Sequence, residues 1–500
     1  MTREPEHIRR AREAARKHTA ERNGNLATNG KPAPAVARQA DPAEAVCLTD
    51  VGNGKRFASD HRTIVRHVHQ WGKWLVWDGT RWRSDEAGQV KALAKHTIMQ
   101  LYSGAKAQID ALATNDADGQ TQLAKIRKVL AWALKSQDAR RINAMLDLAR
   151  SEAGIPVSPD QLDRDPRLLN CANGTLDLQT GKIRQHDQAD YITKVCPVAF
   201  DASATCPTWR KFLKEIFGGS QSLVEYSQRL AGYWLTGLTT EHVLPVAWGS
   251  GANGKSTWIN ALFDVLGGDY SGKAHRDLLL AVKGDRHPTA LAWLHGKRFV
   301  ACIETSEGAR LDEALVKEMT GGDTITARKM REDFWTFTPT HKIALVTNHK
   351  PTVRGTDHAI WRRLRLIPFT VTFHDDKQDK RLGEKLRAEL PGILAWMVQG
   401  CLAWQKDGLG DPPEVATATA EYRSGEDRLG AFLVDRCQLN PELRVKTSDL
   451  YAAFREWSKT NGEQETSAKG FGNAMAERGF GKDAGKRWYL GLALPVTDGE

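Results

Sequence analysis

Between residues 206 and about 413, short apolar runs alternate with stretches of helical spacing. VLPVAW (243–248), RFVACI (298–303), KIALVT (342–347) and RLRLIPF (363–369) are each bounded by glycine, proline or charge, and each predicts a buried strand. Strands alternating with helices predict a layered α/β architecture around a mostly parallel sheet. Asp411, Pro412 and Pro413 mark the end of this pattern.

The flanks follow other rhythms. Residues 1–44 are rich in Arg, Ala, Glu and Pro and nearly lack large apolar side chains, so a disordered basic tail is expected. Order is expected from about Cys47. Trp71–Trp82 (WGKWLVWDGTRW) predicts a hairpin turning at Asp78–Gly79, with its tryptophans read as core in preference to base-stacking platforms. Helical spacing runs from about Val90 to Ile109 and from Gln120 to Ala153, and a strand-and-turn stretch covers Leu168 to Thr175. This is a mixed α+β region. Past residue 425, Thr447 or Ser448 could cap a helix carrying Leu450, Phe454 and Trp457. A second helix is expected over Ser467–Arg478, and GKDAGKRWYLGLAL (481–494) reads as a basic hairpin. Helix, helix and wing together predict a winged-helix-like module over 425–500.

Composition narrows the classes. Five hundred residues predict several domains. No run approaches the roughly 18 apolar residues of a membrane span, and the N-terminus lacks a secretory apolar region, so a cytoplasmic protein of a bacterial or phage-infected cell is expected. Lys and Arg number 71 against 61 Asp and Glu, a net charge of +10 that suits a polyanionic partner or a merely basic surface. The cysteines at 47, 171, 196, 206, 302, 401 and 437 show no CxxC spacing, and free thiols are expected.

The sharpest chemical signal is Gly249-Ser250-Gly251-Ala252-Asn253-Gly254-Lys255-Ser256, followed by Thr257, between a predicted strand and a predicted helix. Glycines let such a loop curl until its N–H groups face phosphate oxygens at a helix N-terminus. Lys255 is then expected on the β- and γ-phosphates of ATP, and Ser256 on Mg²⁺. A glycine-rich strand–helix turn without a ligand is the plain alternative. Hydrolysis also needs an acid at a neighbouring strand end, to hold Mg²⁺ and orient water. Glu304 follows the run 298–303 and is the first candidate, with Glu307 second. Asn348 ends the next run, where it could position water or simply form a turn. Arg362 and Arg363, at the start of the last run, could be surface charges or an arginine finger.

The order of these parts resembles the phage and plasmid primase-helicase family, similar to the poxvirus primase-helicases within the superfamily 3 helicases. The resemblance covers about residues 46–490. It rests on GSGANGKST (249–257), RFVACIETSEGARLDEALVKEMTGGDTITARKMR (298–331) and KIALVTNHKPTVRGTDHAIWRRLRLIPF (342–369). LTDVGNGKRF (48–57), WLVWDGTRW (74–82) and LLNCANGTLDLQTG (168–181) extend it. It implies a helicase accessory domain at 45–204, an AAA+ type ATPase core at 205–413 and the winged-helix-like module at 425–500. It also implies a homo-hexameric ring with active sites between subunits. Lys255 and Ser256 match the Walker A pair, Glu304 the Walker B acid and Asn348 the sensor. Arg363 is the better match to a finger acting in trans, with Arg362 second. The segment 324–340 matches a channel hairpin that grips DNA, where Arg328, Lys329 and Arg331 would meet phosphates. Lys317 also matches, with DNA and nucleotide both open as its partner.

Two departures qualify the resemblance. The short tail leaves no room for the primase domain of many relatives, so a separate primase is the expected partner. Thr305 and Ser306 follow Glu304, so no second adjacent acid is assigned. The expected activity is ATP-dependent unwinding of DNA during replication of a phage, prophage or plasmid. A DNA-stimulated ATPase that does not unwind and an ATP-switched, DNA-binding initiator are the alternatives.

Overall fold

The structure, a computed structural model, describes residues 47–112, 116–282, 289–303, 308–328, 333–353, 358–374, 378–461 and 466–495. They fall into two compact units: the residues up to Arg62 with Gly88–Ile155, and Thr63–Ala87 with everything from Pro156 onward. No helix among the described residues is long and apolar enough to cross a membrane.

The first unit is helical, with α1 (Asp50–His61), α2 (Gln89–Ala111), α3 (Ala117–Lys135) and α4 (Ala139–Ala149). The single long helical pattern expected over 120–153 is two helices. Asp138 accepts the Arg140 N–H and caps α4, and buried Ser136 receives a hydrogen bond from Asn53 Nδ2 at 3.0 Å. A cap and a satisfied buried hydroxyl make the break more stable than a continued helix.

The second unit opens with two small antiparallel sheets. The first comprises β1 (Val65–Val68), β2 (Lys73–Trp77) and β3 (Trp82–Ser84). The hairpin anticipated at Asp78–Gly79 forms, but over four residues: Trp77 pairs with Trp82, and only Gly79 of the expected turn pair has positive φ. Asp78 Oδ1 instead accepts the N–H groups of Thr80 and Arg81, an Asx turn that needs no second left-handed residue. Trp82 is fully buried. The second sheet comprises β4 (Leu168–Cys171), β5 (Gly174–Asp177) and β6 (Lys182–Arg184).

After α5 (Pro207–Ile216) and α6 (Gln221–Leu235) comes the central sheet. Its strands are β7 (Leu244–Trp248), β8 (Ser271–Ala274), β9 (Phe299–Ile303), β12 (Lys342–Thr347) and β13 (Leu364–Pro368). They lie in the order β13-β7-β12-β9-β8, all parallel. Both faces are covered, which explains continuous apolar runs in place of alternation. Ala247, Phe299, Ala301, Ala344, Val346 and Ile367 face one core with Trp209, Trp234, Trp258 and Trp396. Leu244, Val246, Val300, Cys302, Ile343 and Leu345 face the other with Val316, Ile325 and Tyr422. The elements behind these contacts include α7 (Lys255–Tyr270), α8 (Glu313–Gly321), α9 (Leu390–Asp407) and α10 (Pro413–Glu426). Between α8 and β12 an antiparallel hairpin is built from β10 (Ile325–Ala327) and β11 (Trp335–Phe337).

At the lower edge, where strands begin, Arg298 and Lys342 are buried. Arg298 donates to the carbonyls of Leu235 and Leu168, and Lys342 to that of Thr236. Leu235 ends α6 and Thr236 follows it, where C-terminal carbonyls carry partial negative charge, and Leu168 opens β4.

The last stretch has its own apolar core around Phe432, Phe454, Phe471 and Tyr489. It runs α11 (Arg428–Arg436), β14 (Gln438–Lys446), α12 (Thr447–Thr460), α13 (Ala468–Glu477) and β15 (Trp488–Ala493). The hairpin expected within 481–494 does not form as such. β15 pairs antiparallel with β14, from before the helices, and only a Lys482–Tyr489 bridge remains of the expected pairing. Asp483 Oδ1 accepts the N–H groups of Arg487 and Trp488, closing a turn in place of extending a strand. The seven cysteines are free, and five are buried.

Candidate active site

The loop after β7 is built by steric exclusion. A Cβ at Gly249 would stand 2.1 Å from Asn253 Nδ2 and 2.3 Å from the Phe369 carbonyl oxygen. Gly251, Ala252 and Gly254 have φ of 109°, 46° and 82°, conformations costly for most side chains. A Cβ at Gly254 would also strike Ile216 at 2.5 Å. The curl ends where α7 begins at Lys255, and no side chain caps that terminus. Its first-turn N–H groups, at the positive end of the helix dipole, are suited to an anion.

Lys255 is 5% exposed. Its Nζ donates to the Gly249 carbonyl at 2.8 Å, to Asn253 Oδ1 at 2.8 Å and to Asn348 Oδ1 at 2.9 Å. All three acceptors are neutral, and burial draws the ammonium pKa down to about 8. Asn253 is braced in turn, donating Nδ2 to the Phe369 carbonyl at 3.2 Å. Ser256 is exposed in the first turn, with Thr257 half-buried behind it.

Sheet order explains how distant segments meet here. β12 lies beside β7, with Thr347 paired to Trp248, so Asn348 leaves its strand next to the loop. β9 is the following strand, and its last residue, Ile303, pairs with Val346 at the same edge. Glu304 and Glu307 lie outside the described residues. So do Lys329 and Arg331, whereas Arg328 is described and exposed just after β10. Lys317 is half-buried on α8.

The two arginines point differently. Arg363 is buried, donating Nε to Thr320 Oγ1 at 3.1 Å and Nη1 to the Ala359 carbonyl at 2.8 Å, which ties α8 to the segment before β13. Arg362 is exposed.

Sequence reasoning did not single out Lys350. Its Nζ lies 4.1 Å from the centroid of Trp248, just before the loop, and 5.5 Å from that of Tyr422 on α10. Tyr422 donates to the Pro351 carbonyl and Val353 N–H donates to Glu426 Oε2, so the segment after Asn348 is clamped to α10. Only the folded chain brings these together; the lone signal in the sequence is their nearness to Asn348.

Comparison with known proteins adds ancestry to this geometry. Residues 54–218 match a family described as D5 N terminal like, and residues 247–363 match a family of unknown function. A candidate helicase of Acanthamoeba polyphaga mimivirus is 31% identical over 340 residues, covering 62% of this chain and 35% of that protein. A candidate primase of African swine fever virus is 24% identical over 326 residues, covering 60% of this chain and 34% of that protein. Both matched segments and these viral relatives support a primase-helicase relationship for the chain. The chain spans about a third of the length of the curated relatives it matches. A candidate helicase of Invertebrate iridescent virus 6 is 27% identical over 278 residues, covering 53% of the chain and 28% of that protein. Among solved structures, the apo C-terminal region of NrS-1 is 11% identical, covers 88% of this chain and 99% of that one, and aligns with a TM-score of 0.48. The second matched segment holds the loop, the β10–β11 hairpin, Asn348 and both arginines.

Proposed function

We propose that this chain is an ATP-driven motor that moves along single-stranded DNA as a homo-hexameric ring and unwinds duplex during replication of a phage, prophage or plasmid. The observation that carries the reading is the triple contact of Lys255, which joins the loop to the strand-end amide of Asn348. An ammonium buried among neutral oxygens gains strongly from a phosphate beside it, because charge-assisted bonds are about twice as strong as neutral ones.

On this reading 205–413 is an AAA+ type core and 425–500 a winged-helix-like module. Loop N–H groups and Lys255 hold the β- and γ-phosphates of ATP, and Asn348, released from Lys255, orients the attacking water. Ser256 and Glu304 would hold Mg²⁺, which would offset charge building on the phosphoryl oxygens. Arg362 takes the role of finger in trans in preference to Arg363, whose donors already serve Thr320 and Ala359. Arg328, Lys329 and Arg331 contact DNA phosphates.

Steady-state ATP hydrolysis with and without single-stranded DNA, on protein sized by light scattering, tests this. Stimulation by DNA in a ring-sized assembly, lost in Lys255→Ala, is the expected result, and strand separation of a forked duplex completes it. Nucleotide binding with slow turnover indifferent to DNA would point instead to an ATP-switched initiator.

A further inference from the structure

Phe334 stands one residue before β11 and is 61% exposed, whereas Phe337, at the end of β11, is buried in the apolar core. A phenyl ring left in water contributes little to the fold. Single exposed apolar residues are common and need no explanation, but this ring has company. The guanidinium of Arg328, the first residue after β10, lies 4.8 Å from its centroid. Trp335, its neighbour in the chain, packs edge-to-face with exposed His295 at 4.7 Å. Two residues before His295, Trp293 is 41% exposed, with Lys297 Nζ 5.2 Å from its ring. Phe334 with Arg328 and Trp293 with Lys297 are thus two exposed rings each paired with a cation, the first of them on the hairpin itself. That pairing of π-faces and positive charge is the chemistry by which proteins hold single-stranded nucleic acid without regard to sequence.

We propose that Phe334 is a base-stacking platform of the β10–β11 hairpin, taking one nucleobase of a single strand against its ring while Arg328 meets the adjoining phosphate. The inference rests on the reading that this hairpin meets DNA, and adds that the hairpin holds the base as well as the backbone. Such a grip selects unpaired strands, because a base within duplex offers no free π-face.

The test uses the full chain and fluorescence anisotropy over a series of salt concentrations. Two labelled oligonucleotides of equal length serve as probes, one of thymidine and one of abasic sites. Phe334→Ala is expected to weaken binding to the thymidine strand by about 10-fold or more, with an unchanged dependence on salt. On the abasic strand it should match the wild type, and Phe334→Trp should keep thymidine binding. Arg328→Ala is expected to behave oppositely, lowering the salt slope by about 1 on both strands. Thermal unfolding of Phe334→Ala should be unchanged, since the ring is exposed. Equal thymidine binding by Phe334→Ala and wild type, or an equal loss on the abasic strand, overturns the stacking role while leaving the motor intact. A wild-type chain that binds neither strand, with or without nucleotide, overturns the motor reading and the platform together. Capture of another protein by this face, abolished in Phe334→Ala while DNA binding persists, would reassign it as a protein-docking surface.

Discussion

Lys255 and Lys342 sit at opposite edges of one parallel sheet, both buried, and neither is ion-paired among the described residues. Burial lowers the pKa of each, that of Lys255 to about 8 and that of Lys342 well below the ordinary lysine value. By burial and titration alone they would be equal candidates for function. Their acceptors separate them. Lys342 is spent on the Thr236 carbonyl just past α6 and rests over the Tyr233 ring, at a helix end that needs a cation. Arg298 does the same work beside it, at Leu235 and Leu168. Lys255 holds a loop carbonyl and two side-chain amides, groups that water or one another can serve when a better partner arrives. A perturbed lysine marks a site only where its partners can be exchanged.

Single substitutions at the two edges should therefore fail in different ways. Lys255→Ala is expected to cut ATP turnover by about 100-fold or more while the denaturation midpoint holds within the spread of ordinary surface changes. Lys342→Met should leave the phosphate loop untouched yet lose about 2–3 kcal/mol of stability, because the Thr236 carbonyl just past α6 loses the Lys342 donor. Urea unfolding monitored by tryptophan fluorescence, set beside turnover, separates the two. Equal destabilisation by both substitutions would erase the distinction.

The arginine pair repeats the contrast at shorter range. Arg363→Ala should cost about 2 kcal/mol by removing the donor to buried Thr320 Oγ1 and the tie to the Ala359 carbonyl. Arg362→Ala should unfold like the wild type and lose turnover while still binding nucleotide. Mixing Arg362→Ala with Lys255→Ala subunits should then restore some activity. Failure at every ratio would remove Arg362 from the trans role.

The sequence carried the sheet better than the site. Four strands were legible because burial on both faces leaves uninterrupted apolar runs, but β8 is Ser-Gly-Lys-Ala at the sheet edge and carries no such signal. That Asn348 follows a strand could be read; that it touches Lys255 depends on β12 inserting beside β7, which strand spacing does not encode. Arg362 and Arg363 share the same neighbours in sequence, and only the packing of α8 turns one inward. The last strand was sought within its own hairpin because turn signals are local, whereas β14 lies on the far side of two helices.

Titration offers a subtler test of exchangeability. With its pKa lowered from 10.5 to about 8, Lys255 carries a burial penalty in full below pH 8. Between about 8 and 10.5 the unfolded chain holds a proton that the folded chain has shed, so stability rises through that window. A phosphate beside Nζ should restore the proton. Calorimetry of nucleotide binding in two buffers of different ionisation enthalpy is expected to show uptake of about half a proton near pH 8, little at pH 7, and none in Lys255→Met.

The finest adjustment is at Asn253, whose side chain links the exchangeable lysine to the fixed carbonyl of Phe369. Asn253→Asp would give Lys255 a charged partner on a rigid loop, which is the condition of a structural cation. A phosphate would then have to displace a carboxylate and approach its charge, so nucleotide affinity should fall about 10-fold and the proton uptake at pH 8 should vanish. Asn253→Ala removes one neutral acceptor of three and the donor to Phe369, which should cost about 1 kcal/mol of stability and change affinity only a few-fold. A larger loss in the alanine variant than in the aspartate variant would mean that Asn253 shapes the loop and that exchange of partners at Lys255 is not what makes the site.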